Sequence, residues 1–186
     1  ANDTSAWIGV NTFFTGYCAP APTSVDGTGI TNVMFDTINN TTGAEPGNYG
    51  DYSSMIGNAA QSTTASVDIV FSTAGLNYNT KIWVEWNNDL DFDDAGEEVF
   101  TGVSSSANPS LLTATFLVPA SAALGQYRMR IGGTDFAVPT PCYTGSWASY
   151  EDYTINVTPP PACIAPNNLV QTIISGDSVE ISWTDP

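Results

Sequence analysis

Apolar and polar residues alternate in twos along most of the chain from residue 30 onward, and no stretch shows a helical period. In residues 31–38, Val33 and Phe35 share a face. Val67, Ile69 and Phe71 form a second stripe, alternating with Asp68 and Val70. Ile82, Val84 and Trp86 form a third, and Leu112, Ala114, Phe116 and Val118 a fourth, which Pro119 ends. Tyr127, Met129 and Ile131 point one way while Arg128 and Arg130 point the other, and Tyr153, Ile155 and Val157 complete the set. Successive side chains of a strand face opposite sides, so each stripe marks the inner face of a half-buried strand. Turn chemistry fills the gaps at Asp26-Gly27, Gly57-Asn58, Ala74-Gly75 and Gly132-Gly133. Many short strands punctuated by Gly, Asn and Pro predict an all-β fold, an antiparallel β-sandwich of jelly-roll or Ig-like kind.

The sandwich is expected to cover residues 13–158, preceded by an upstream linker over 1–12. Thr158-Pro159-Pro160-Pro161 stiffens the backbone and cannot donate to a strand ladder, so residues 159–162 read as a second linker. Beyond it, residues 163–186 start again as a β unit in which Val179, Ile181 and Trp183 alternate. Two strands are too few for independent stability, which makes this segment part of an incomplete second unit.

One stretch carries chemistry. Residues 85–98, EWNNDLDFDDAGEE, hold 7 of the 19 acidic residues of the chain. Side-chain oxygens recur at every second position: Glu85, Asn87, Asp89, Asp91 and Asp93. A turn so rich in carboxylates repels itself unless a positive charge sits inside it. Ca²⁺ takes ~6–8 hard oxygen ligands from loops of this kind, and oxygen-only donors select it over zinc. The expected ligands are Glu85, Asn87, Asp89, Asp91, Asp93 and Glu97, with Asp94 and Glu98 facing solvent. The competing reading is an ion-free hairpin tip, since Asp and Asn are common turn residues.

Composition narrows the function. Three basic residues against 19 acidic ones leave a formal charge of −16, which excludes the clustered Lys and Arg that nucleic acid requires. The same balance opposes binding to anionic membrane, and no apolar run approaches the ~18 residues of a spanning helix. With no His in the chain, Ser-His-Asp and Cys-His catalysis are absent. Two carboxylates alone can hydrolyse a glycoside, but here the acids cluster where a metal accounts for them, so an enzyme is not expected.

Low lysine, an acidic balance and abundant Ser, Thr, Asn and Gly suggest a secreted or cell-surface protein. In that setting Cys18 and Cys142, at the two ends of the sandwich, are expected to form a disulfide; two buried free thiols are the alternative. Cys163 is left over. Arg128 and Arg130, on an outward face, are expected to pair with carboxylates such as Glu151 and Asp152, the other reading being recognition of an acidic ligand. Trp86, Phe116 and Tyr153 fit the core stripes. Trp7, Tyr17, Trp147 and Tyr150 lie in loop-like segments, where aromatic faces suit either sugar rings or edge packing.

The succession GYCAP, GITNVMFDTINN, IWVEWNNDLDFDDAGEEVF, VPASAALGQYRMRI, PCYTG and SYEDYTINV resembles the GEVED domain of large secreted and cell-surface proteins of Bacteroidetes-type bacteria. The resemblance covers residues 13–158. Of the five residues that name the family, only Glu151-Asp152 stands here, and Leu90 occupies a place where the family usually has Gly. A Gly there supplies a positive φ cheaply and Leu does not, so the loop is expected to turn differently or bind more weakly. The tail from Cys163 resembles the first strands of a fibronectin type III domain, with Trp183 as core aromatic.

The resemblance implies a non-catalytic, calcium-stabilised accessory module that spaces or presents neighbouring domains of the same polypeptide, in an adhesive or hydrolase-associated protein. The alternative is a carbohydrate-binding module for surface glycans or polysaccharide, attached to a degrading enzyme.

Overall fold

The computed structural model describes residues 16–23, 27–43, 48–162, 167–176 and 178–184. Residues 1–12, Trp7, Asp26, Cys163 and the side chain of Trp183 lie outside what is described. The regular elements of the described residues are all β-strands: β1 Gly29–Phe35, β2 Ile38–Thr41, β3 Tyr49–Ala60, β4 Thr64–Ser72, β5 Asn79–Val84, β6 Glu98–Val103, β7 Ser110–Leu117, β8 Gly125–Thr134, β9 Ala148–Thr158, β10 Asn167–Ser175 and β11 Ser178–Thr184. A four-stranded sheet runs in the order β2-β1-β4-β7, and a five-stranded sheet in the order β3-β9-β8-β5-β6. The two pack face to face as a β-sandwich. Between them Val33, Val67, Ile69 and Ala114 meet Ile82, Met129, Ile131 and Ile155, all fully buried. The period-two stripes of the sequence supply this core.

Strand pairing departs from the expected antiparallel pattern at one place: β3 lies parallel to β9. β3 itself carries no alternation legible in YGDYSSMIGNAA. It is a sheet edge held by pairing with β9, and its register breaks between Asp51 and Ile56, so its side chains keep no constant inner face. Ala74-Gly75 is a turn with both residues at positive φ, 47° and 90°. Two other expected turns are strand interiors. Gly57-Asn58 sits inside β3 and Gly132-Gly133 inside β8. A Cβ on Gly57 would overlap the Phe35 ring and one on Gly132 the Tyr150 ring, while one on Gly133 would stand 2.9 Å from Phe71. These glycines mark close approach of a ring to a strand, the second common meaning of Gly in a β pattern.

Residues 159–162 carry no strand. β10 and β11 form a separate antiparallel two-stranded sheet on which Ile173, Val179 and Ile181 are exposed.

Gly132→Ala should destabilise the protein by about 1–3 kcal/mol, since the buried Tyr150 ring has nowhere to retreat. Gly43→Ala, with no atom within 4 Å of its Cβ, should change stability by less than ~0.5 kcal/mol. Urea unfolding of the two variants checks the contrast.

Candidate functional site

The outer face of the five-stranded sheet, on which both arginines are expected to lie, is covered over Arg130. Arg130 and Asp152 are cross-strand partners on β8 and β9, and both are fully buried. Arg130 Nε donates to Asp152 Oδ1 at 2.7 Å and Nη2 to Oδ2 at 2.7 Å, a bidentate fork. Nη1 donates to the Pro141 carbonyl at 2.8 Å and reaches Cys18 Sγ at 3.5 Å. Phe92 and Tyr49 flank the guanidinium, with centroids 4.8 and 5.7 Å away. Burial by itself would lower the Arg130 pKa; Asp152 outweighs it and holds the group charged.

Arg128, partly exposed, reaches Asp152 at 3.1 Å and Asp51 at 3.2 Å. Pairing with Asp152 is therefore as expected, whereas Glu151 pairs with neither arginine. One residue earlier on β9, it faces inward and accepts from Thr42 Oγ1 at 2.8 Å and Tyr153 OH at 2.6 Å.

The covering layer is a second apolar cluster of Trp83, Phe92, Ala148 and Tyr150, with Tyr17, Tyr49 and Tyr143 against it. Tyr150 is a buried residue of β9 and not a loop aromatic. Its phenol donates to the Thr140 carbonyl at 3.0 Å. Tyr17 packs on Phe92 at 5.4 Å under the Arg128 guanidinium at 4.9 Å. Cys18 and Cys142 are bonded, with Cα atoms 5.6 Å apart, and the bridge joins segment 16–23 to the β8–β9 loop above Arg130.

The acidic stretch is the β5–β6 connection, residues 85–97, and its acids divide into two groups. Glu85 and Glu97, which bracket it, are 0% and 2% exposed. Glu85 Oε1 accepts the backbone N–H of Asn87 at 3.0 Å, of Asp89 at 3.2 Å and of Asn88, while Oε2 accepts from Tyr17 OH at 2.7 Å. Glu97 accepts from the N–H of Trp86 at 3.0 Å and of Asp94 at 3.2 Å, and burial raises its pKa. Between these anchors, Asn87, Asp89, Asp91 and Asp93 are exposed, and each of the first three takes the N–H two residues on, at 3.2, 3.3 and 2.9 Å. Each is an Asx turn, in which the side chain bonds the backbone two residues on. Asn87 Nδ2 lies between Asp89 and Asp94 and donates to both, so Asp94, though exposed, is drawn into the cluster. Glu98 pairs with Lys81 at 2.7 Å.

Leu90 has φ 76°, so the backbone takes the left-handed turn without the Gly that usually serves it. Counted from Glu85, side-chain oxygens stand at the first, third, fifth, seventh and ninth places and Leu90 at the sixth, where calcium loops of the EF-hand type need their sharp turn, but the twelfth place, which holds a bidentate Glu in such loops, is Gly96 here. Among the described residues, no group of three or more His, Cys, Asp or Glu side chains is gathered closely enough to hold a metal as they stand. The loop side chains are tied to backbone and amide donors.

Residues 79–156 match the GEVED domain. The matched stretch runs from the start of β5 into β9 and contains the acidic loop, both arginines, Cys142 and Glu151-Asp152, and it points to an accessory module. It is narrower than residues 13–158, leaving out β1–β4 and Cys18. No curated protein matches the chain.

Asp152→Ala should cost about 3–5 kcal/mol, because it leaves a buried guanidinium unpaired. The double change Arg130→Met with Asp152→Leu should cost clearly less than the sum of the single changes in an unfolding double-mutant cycle. Leu90→Gly should stabilise the protein by about 0.5–1 kcal/mol in chelator, since a left-handed Leu costs ~1–2 kcal/mol and the freer unfolded Gly offsets part of the relief.

Proposed function

We propose that this chain is a non-catalytic accessory module of a secreted or cell-surface protein, stabilised by Ca²⁺ in its β5–β6 loop. It spaces or presents neighbouring domains of the same polypeptide. Residues 13–158 form the module and residues 163–186 open a further β unit of fibronectin type III kind. The disulfide and the lack, among the described residues, of a helix able to cross a membrane are compatible with an extracellular place.

The observation that carries the calcium reading is the fate of the three cationic side chains. Lys81 is paired with Glu98, Arg128 with Asp51 and Asp152, and Arg130 with Asp152. The sequence holds no other Lys or Arg. Asp89, Asp91, Asp93 and Asp94 thus leave one loop strongly negative, with no Lys or Arg of the chain paired to it. A divalent cation reverses that sign. Asn87, Asp89, Asp91 and Asp93 would hold it, with Glu97 closing the loop, while Glu85 acts chiefly as anchor. Asn87 would turn its Oδ1 inward in place of the amide nitrogen that now separates Asp89 from Asp94.

A second reading, carbohydrate binding, keeps one specific support. Trp147 and Phe136 on the β8–β9 connection are 43% and 74% exposed, a form suited to stacking on sugar rings. Tyr17 and Tyr150 do not add to that surface, being engaged in the layer over Arg130. Retention on polysaccharide affinity gels, lost on Trp147→Ala, would favour this reading over the first.

Millimolar Ca²⁺ should raise the melting temperature and chelator should lower it, with stabilisation of about 2.7 kcal/mol at a hundredfold excess over Kd. Asp89→Ala should remove most of that response. Melting curves that ignore both calcium and chelator would overturn the calcium reading.

A further inference from the structure

Tyr17 stands apart from the other aromatics of the outer layer because it touches the acidic loop and neighbours the disulfide. Its phenol donates to Glu85 Oε2 at 2.7 Å, while Glu85 Oε1 gathers the N–H groups of Asn87, Asn88 and Asp89. A carboxylate whose two oxygens bind different segments is a joint: moving one side moves the other. Burial, and then the Glu85 carboxylate, push the Tyr17 phenol well above its ordinary pKa, so it remains a donor.

What holds Tyr17 in place is unevenly distributed. On its C-terminal side, Cys18 is bonded to Cys142, and beyond it Ala21 and Thr23 donate to the carbonyls of Tyr143 and Gly145, each at 2.9 Å. The disulfide is thus the nearest covalent anchor, and the two backbone bonds are four and six residues further along than Tyr17. With the bridge open, Tyr17 keeps, among the described residues, its packing on the outer cluster, the Arg128 guanidinium and its hydrogen bond to Glu85.

We propose that Cys18–Cys142 is a redox-sensitive strap on the acidic loop, acting through Tyr17 as a positioning residue for Glu85. A dithiol reductant cleaves the S–S bond. Cys18 and Cys142 each take up one electron and one proton as thiols, and the reductant closes to its own disulfide, having given up the same two electrons and two protons. Segment 16–23 then loosens, Tyr17 leaves Glu85, and the turn at 87–89 loses the fixed carboxylate that organises it. The strap stands on this geometry alone; its effect on calcium affinity rests on the reading proposed above. Because coupling between two sites is reciprocal, calcium should in turn protect the bridge from reduction.

Hydrogen exchange on the full chain in chelator tests the strap without any metal. Tyr17→Phe keeps the ring and the disulfide and removes only the donor. The amides of Asn87, Asn88 and Asp89 should exchange roughly tenfold faster in it, as expected for loss of a hydrogen bond to a charged group, while those of Met129 and Ile131 stay unchanged. Reduction, or Cys18→Ser with Cys142→Ser, should act on the same three amides. In calcium, Tyr17→Phe should weaken binding several-fold by titration calorimetry, and calcium should slow dithiol reduction of the wild-type bridge. Loop amides indifferent to Tyr17→Phe would overturn the strap, whatever the reduced protein does. Loop amides that respond in a protein that binds no calcium would sustain the strap and overturn the calcium reading instead.

Discussion

The buried Arg130–Asp152 pair is the constraint from which the outer half of this molecule follows. Taking two ions out of water costs several kcal/mol each, and their attraction compensates only when geometry is good and the remaining donors are satisfied. Both conditions are met here, the first within the sheet and the second from outside it. The fork between β8 and β9 satisfies Asp152, and Pro141 supplies the carbonyl that Nη1 needs. Phe92, Tyr49 and the disulfide exclude water from above. A face that would ordinarily be wet has become a second, ionic core.

That second core also fixes the acidic loop to the body. Phe92, midway along the loop, is buried against Arg130, and Glu85 and Glu97 tie its two ends to backbone donors. The exposed acids between them are therefore displayed on a frame that is itself restrained. Charge economy is the other consequence. With both arginines committed to Asp152 and Lys81 to Glu98, the most acidic turn of the protein is left without a side-chain cation. The positively charged partner proposed for it comes from outside the chain.

Much of the site was legible because it is local. The alternation of Glu85, Asn87, Asp89, Asp91 and Asp93 is a property of one short stretch, whereas the positive φ of 76° at Leu90 is not what a branched residue announces. The division of the acids was not legible. Glu85 caps three N–H groups and also accepts from Tyr17, which is 68 positions away in the chain. Arg128 and Arg130 look alike in sequence, yet one lies at the rim and the other beneath a roof.

The sequence by itself determined the inner core and one turn: period-two stripes and Ala74-Gly75 are statements about neighbours, while for Cys18 and Cys142 it left a disulfide and free thiols both open. Tertiary structure alone decided three further matters. The register break that hides β3 depends on β9, about a hundred residues later. Gly132 marks a strand interior and not a turn because the Tyr150 ring lies on it. The outward face of β8 is dry because Cys18, separated from Arg130 by 112 positions, closes over it. Alternation tells which side chains share a face; only the folded chain says what covers that face, because burial is set by segments that meet after folding.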